Sequence, residues 1–475
     1  MIHSDNRKLF LIGLDCAEPD LIFNKWRDRL PAFRFIMKKG IYAHLESTIP
    51  AITVPAWVSM VTGKDPGELG IYGFRNRKAY DYSELFIPNS SDIKDKAVWE
   101  YLDLYNKRSF IMGVPMTYPV KRINGIMISG FMAPDTESEY TYPCGFKNDI
   151  RKIIGDYIID VKDFRTSDKD RLQKQIMHMT NKRFQLFLKV NRMFRFDFAM
   201  MVEMGTDRMH HGFWKYMAED HPGYEKGNPY ENAIFNYYRL IDDYLGQIME
   251  EYGDRADIMI VSDHGAKTMK GGFNINQWLM DKGYLVLKKG AKSLKKFTNC
   301  DIDWDMTRAW GSGGYYSRIF FNVRGREPAG VIDGDKYDEF LHRLKQELED
   351  IRHPDGNPLG NRCFIPSDIY RKINNVPPDL ILYPANLEYR AIGSIGHNSF
   401  FSTENDTGPD DANHSQNGIF MYHGDNTEKK GYIGKWSICD IASTVVKFFR
   451  ISSHSSKAAN ILSDARSRNV FFREQ

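Results

Sequence analysis

Short apolar runs alternate with longer amphipathic stretches along this 475-residue chain. The runs Leu9–Leu14, Ser109–Val114, Phe198–Met204, Ile258–Val261, Arg318–Val323, Leu380–Tyr383 and Gly418–Tyr422 are rich in β-branched or aromatic residues and bounded by Gly, Pro or Asp. They predict strands. Helical spacing fills the intervals, most clearly at Asn228–Tyr252, Lys336–Ile351 and Ser437–Phe449. Strands alternating with helices predict an α/β sandwich on a largely parallel central sheet. Folds of that class place their chemistry at the carboxyl ends of the strands.

The stretch 81–195 differs in composition. It carries Pro- and Tyr-rich turns (MAPDTESEYTYPCG) and then a long Lys/Arg/Met-rich helix, Asp168–Phe194. It is expected to be a partly inserted cap on a catalytic core formed by 1–80 and 196–450, with 451–475 as a peripheral tail. Lys288–Trp310 and Ser394–Asn413 read as irregular loops that could border a site.

Composition narrows the partners. Hydrophobic residues make up 42% and charged residues 27%, a globular balance, and the net charge is +3. That charge is too small to imply a nucleic-acid or membrane partner. No basic stripe with interleaved aromatics marks a nucleic-acid channel. No stretch reaches the roughly 18 apolar residues of a membrane span, and the N-terminus does not read as a secretory signal. The five cysteines (Cys16, Cys144, Cys300, Cys363, Cys439) are scattered without a CxxC pair, so a reducing, cytoplasmic setting is expected.

Four local patterns carry chemistry. In FLIGLDCAEPD, Asp15 ends an apolar run, a natural metal-ligand position but also an ordinary turn or capping position. In STIPAITVPAWVSMVTG, Thr53 stands two residues before Pro55, which suits a first helical turn. Thr53 is then at or near the N-cap, where free N–H groups favour a phosphate. The plain alternative is a simple cap, and Thr48, Ser59 and Thr62 are rivals as nucleophile. In MVEMGTDRMHHGFW, Asp207 and His211 share a helix face four residues apart, a half-site suited to zinc; His210 could also reach that face. In ADIMIVSDHGAK, a buried-strand pattern runs into Asp263-His264-Gly265. ANHSQNGIFMYHGD then offers His414 or His423 as a further ligand.

In this order, Asp15, Thr53 with TVPAWVSMVTG, DRMHH, SDHG and HSQNG resemble the alkaline phosphatase superfamily, most closely its type I phosphodiesterase/nucleotide pyrophosphatase-like branch. The resemblance implies an alkaline-phosphatase-like three-layer sandwich and two divalent metal ions. Asp/His ligation suits Zn²⁺, with Mn²⁺ as the alternative. It assigns one ion to Asp207, His211 and His414. The other falls to Asp15, Asp263 and His264, with the Thr53 oxygen beside it. Thr53 is the implied nucleophile, standing ten residues before Gly63 as the family spacing requires. A sulfatase is disfavoured because Trp57 stands where its motif needs Arg. The family's phosphoryl-contacting Asn is replaced by Phe74, so Arg75 or Asn76 is expected to supply a substitute contact. The expected activity is hydrolysis of a small-molecule phosphate ester, a diester by preference, through a phospho-threonine. A phosphomutase acting on a sugar phosphate is the alternative; a non-catalytic metal-binding homologue is the other. A homodimer is compatible with the sequence.

Overall fold

Three neighbouring apolar segments set the geometry of the chain. In the computed structural model, which describes residues 8–83, 85–288, 296–297, 302–403, 407–424, 429–451 and 459–467, strand Lys8–Leu14 lies between Phe198–Glu203 and Ala256–Val261, parallel to both. All three are buried over almost their whole length. Continuous apolar runs of this kind form where both faces of a parallel sheet are covered.

Among the described residues this sheet has nine strands, in the order Gly431–Ser437, Ile41–Glu46, Asn417–His423, Ala256–Val261, Lys8–Leu14, Phe198–Glu203, Ser109–Met112, Gly125–Ile128 and Thr141–Tyr142. Asn417–His423 and Thr141–Tyr142 run against the rest. Alternation along Lys8–Leu14 shows the two covering layers. Phe10 packs on Phe187 and Tyr252 of helices Lys169–Met193 and Ala233–Tyr252. Gly13 lies under Trp57 of helix Thr53–Thr62, so closely that a Cβ would sit 2.4 Å from the indole. The result is a three-layer α/β sandwich, as expected.

The stretch 81–195, where the cap is expected, also contributes to the central sheet. Ser109–Met112, Gly125–Ile128 and Thr141–Tyr142 all fall within 81–195, yet they are strands of the central sheet. Leu172, Ile176 and Phe184 of the long helix belong to the central core. Turn-rich composition marked the loops of this stretch, whereas its short apolar runs pair with Phe198–Glu203. The residues with a separate hydrophobic cluster lie mainly between Phe273 and Ile395. They form a four-stranded antiparallel sheet of Ala309–Ser312, Ser317–Phe321, Leu380–Tyr383 and Arg362–Phe364. Two runs read as parts of one largely parallel sheet therefore belong to this second sheet. Most of the expected tail and part of the Lys288–Trp310 loop, including Cys300, lie outside the described residues. Among the described residues no helix is long and apolar enough to cross a membrane.

Candidate metal centre

The carboxyl ends of the three central strands converge. Asp15 follows Lys8–Leu14 directly, Asp263 follows Ala256–Val261 after one serine, and Asp207 opens helix Gly205–Met217 behind Phe198–Glu203. His414 comes from strand Ala412–Ser415, which pairs antiparallel with Gly265–Thr268 so that His414 lies opposite Ala266. This long-range strand pairing carries His414 beside His264.

Two ligand groups result, Asp207 with His211 and His414, and Asp15 with Asp263 and His264. Within each, the ligand atoms lie within 4.8 Å of one another. In the first, His211 Nε2 is 3.1 Å from Asp207 Oδ1 and 3.3 Å from His414 Nε2. In the second, His264 Nε2 is 3.1 Å from Asp263 Oδ2 and 3.9 Å from Asp15 Oδ1. All six side chains are buried.

The outward-facing atoms are fixed by partners outside the cage. Trp57 Nε1 donates to Asp15 Oδ2 at 2.6 Å, and the Cys16 N–H donates to Asp263 Oδ1 at 3.1 Å. Cys16 reaches it from the left-handed region, φ 64°. His414 Nδ1 pairs with the Ala51 carbonyl at 2.9 Å, and His211 Nδ1 with Asp410 Oδ1 at 2.7 Å. Asp15 Oδ1, Asp207 Oδ1 and Asp263 Oδ2 are buried and face the imidazole nitrogens of the cage, Asp207 Oδ1 and Asp263 Oδ2 each 3.1 Å from one. Buried carboxylate oxygens are normally paired or bound to a metal. At an effective dielectric near 20, two carboxylates about 4.8 Å apart repel by roughly 3–4 kcal/mol. The donor set therefore fits two divalent cations of borderline type.

Protonation follows the same crowding. Burial, then the charges of Asp263 and Asp207, push Asp15 well above the carboxylate range, and burial chiefly does so to Asp263. Burial would raise Asp207 too, but His211, Arg208 and His414 hold it well below. Burial lowers His264 to about 4 and sends His414 well down, which leaves both as neutral, ligand-ready imidazoles. For His211, burial is outweighed by Asp410 and Asp207, and the value is about 9.

Thr53 is the first residue of its helix, with extended Ile52 as the cap rather than Thr53 itself. The helix ends at Gly63, whose φ of 73° is the left-handed turn that glycine accommodates. Thr53 Oγ1 is 3.5 Å from His264 Nε2, so the hydroxyl meets the second ligand group at the positive helix end. Thr48 and Thr62 instead bond the carbonyls of Pro50 and Val58, and Ser59 is buried inside the helix. His210 packs edge-on to Trp214 and bonds Tyr238 OH at 3.2 Å, a core role. His423 packs against Phe35.

Arg75 is exposed. Asn76 is buried, its amide accepting from Tyr72 N–H at 2.7 Å and donating to the Gly73 carbonyl at 2.9 Å. Its side-chain amide is thus engaged in its own turn. Phe74 packs edge-on to Phe131 and beside the cluster of Val54 and Val58, on the helix that Thr53 begins. Sequence reading missed Asp410, Trp57 and Arg208, which hold ligands by their far atoms. Asp410 lies in the loop Ser394–Asn413, which polarity alone singled out.

The profile of the type I phosphodiesterase / nucleotide pyrophosphatase family matches residues 9–414. Among solved structures, human ectonucleotide pyrophosphatase/phosphodiesterase 5 is similar in fold, with a TM-score of 0.57 and 15% identity over 96% of this chain and 99% of that one. Its murine counterpart gives a TM-score of 0.54 at 14% identity, covering 95% and 98%. An inactive murine form in complex with AMP gives 0.55 at 13%, covering 96% and 99%. No curated protein matches in sequence.

Proposed function

The chain belongs to the type I phosphodiesterase / nucleotide pyrophosphatase family and is a metal-dependent hydrolase of phosphate esters; from that premise we propose that it cleaves a small-molecule phosphodiester with Thr53 as nucleophile. The observation that carries the reading is the pair of buried Asp/His groups, with the Thr53 hydroxyl 3.5 Å from His264 Nε2 of the second. Asp207, His211 and His414 hold one divalent cation; Asp15, Asp263 and His264 hold the other, with Thr53 Oγ1 adjacent. Zinc suits this donor set, with manganese as the alternative.

Bound there, two such ions supply Lewis acidity and neutralise charge on the phosphoryl oxygens. The chain does the rest. The helix beginning at Thr53 points its positive end at the phosphate and favours an alkoxide. Thr53 Oγ1, giving up its proton, bonds to phosphorus as the bond to the first alcohol breaks, and that alcohol leaves with a proton. Water then attacks the phospho-threonine, delivers the monoester and restores the hydroxyl. Trp57, Cys16, Asp410 and the Ala51 carbonyl hold the ligands in register throughout. The inactive murine relative that binds AMP carries a threonine-to-alanine change, which fits a threonine nucleophile.

The test is a pair of initial rates on p-nitrophenyl phosphate and bis-p-nitrophenyl phosphate after reconstitution with Zn²⁺ or Mn²⁺. Faster diester cleavage that vanishes in Thr53→Ala supports the proposal. A monoester preference, or activity retained by the variant, overturns it.

A further inference from the structure

The two ligand groups are braced in different ways. In the second group, the atoms turned away from the cage rest on residues of the central core. Trp57 of the neighbouring helix holds Asp15, and Cys16 of the strand-end turn holds Asp263. In the first group, two of the three braces lead out to one irregular stretch. Arg208 Nη1 donates to Asp207 Oδ2. The same guanidinium grips Asp160 as a fork, Nε to Oδ1 at 3.0 Å and Nη2 to Oδ2 at 2.6 Å. His211 Nδ1 rests on Asp410 Oδ1 at 2.7 Å. The other oxygen of Asp410 accepts from Arg165 Nε at 3.0 Å and from Tyr315 OH at 2.8 Å. Arg165 Nη2 also donates to the Tyr315 hydroxyl at 2.6 Å.

Asp160 and Arg165 thus stand five residues apart in a segment, 155–168, that has neither helix nor strand. The segment leaves helix Phe146–Ile154 and enters helix Lys169–Met193. It is tied down by Arg183 Nη1 donating to the Ile159 carbonyl at 3.0 Å and by Arg171 donating to the Lys162 and Asp163 carbonyls. Asp163 sits at φ 47°, which turns the chain between the two braces. Planar forked pairs fix orientation as well as distance, which a single contact does not.

We propose that residues 160–165 form a strap that sets the geometry of the first cation group only. Asp160 acts through Arg208 on Asp207, and Arg165 acts through Asp410 on His211. Both are positioning residues. The inference rests on the two-cation reading above and adds an asymmetry to it. Loss of the strap's charged ends weakens the ion at Asp207, His211 and His414 and leaves the ion at Asp15, Asp263 and His264 in place. Outer-shell changes of this type typically cost about 10–100-fold in metal affinity, and that is the range expected for the one site.

The experiment is a Co²⁺ titration of the metal-free full chain, read by visible absorption and by metal content, on the wild type, Arg165→Ala, Arg165→Lys and Asp160→Asn. Wild type is expected to take up two ions. Arg165→Ala and Asp160→Asn are expected to keep one at wild-type affinity, to bind the other at least about tenfold more weakly, and to lose one of the two spectral components. Arg165→Lys, which keeps a cation beside Asp410, is expected to recover part of the loss. Trp57→Phe, which removes the donor to Asp15, is expected to weaken the opposite site. Two tight ions with an unchanged spectrum in both strap variants would overturn the strap alone. Equal weakening of both ions in them would do the same. A wild-type chain that takes up fewer than two ions would overturn the two-cation reading and the strap with it.

Discussion

The imidazole rings of His264 and His414 stack with centroids 3.8 Å apart and planes 16° from parallel, although they serve different ligand groups. The two groups therefore share a wall of aromatic rings, brought together by the long-range pairing of Gly265–Thr268 with Ala412–Ser415. His264→Ala is expected to release the ion of its own group and to loosen the neighbouring one through His414. Metal content after dialysis would fall below one ion per chain. Retention of one full ion per chain would show that the stacked rings do not couple the groups.

Thr53→Ala is expected to lower kcat on the preferred diester by about 10³-fold or more, the scale of losing an enzymic nucleophile. Metal content should not change, because Asp15, Asp263 and His264 remain. Thr53→Ser keeps the oxygen and should retain part of the rate. A burst assay and metal analysis on the same samples separate loss of the nucleophile from loss of the ions.

Cation uptake should release protons. Without ions, burial and neighbouring carboxylates keep protons on Asp15 and Asp263 well above the usual range, and His211 stays protonated up to about 9. Ligation requires all three without them, so apparent affinity rises with pH. Calorimetry in buffers of different ionisation heat measures the proton count. Uptake without proton release near neutral pH would contradict these shifts.

Gly13→Ala should damage the site from beneath. A Cβ there meets the Trp57 ring at 2.4 Å and Val202 at 2.9 Å, and Trp57 is both fully buried and the donor to Asp15. Overpacking of this kind costs about 1–3 kcal/mol. Thermal denaturation should show the loss, and the altered chain should bind its second cation more weakly.

Asn76→Ala should act on stability rather than on catalysis. It strands the Tyr72 N–H and the Gly73 carbonyl, at a cost of about 1–3 kcal/mol. Arg75→Ala, at an exposed position, tests substrate contact without that cost. A raised KM in Arg75→Ala alone would leave Arg75 as the group that answers for the missing family Asn.

Most of the central sheet was legible because its middle strands are buried on both faces and read as unbroken apolar runs. Ile41–Glu46 was not, since its burial alternates residue by residue, and Gly431–Ser437 was not, since it carries an exposed Tyr432 and Lys435. The ligand residues were legible as strand-end acids and Asp/His spacings. Their grouping rested on a family resemblance, because nothing local in HSQNG says which acid His414 will face.

By itself the sequence determined the layer architecture, because period is a local property, and it offered the acids and histidines that the family resemblance then sorted into a site. Tertiary structure alone decided that 109–142 completes the central sheet, that Asn76 serves its own turn, and that Asp160, Arg165 and Asp410 brace ligands far from them in the chain. Those outcomes depend on which segments pair and on where a side chain's second polar atom finds its partner. Such long-range pairings are fixed by packing of the whole chain and leave no periodic trace along it.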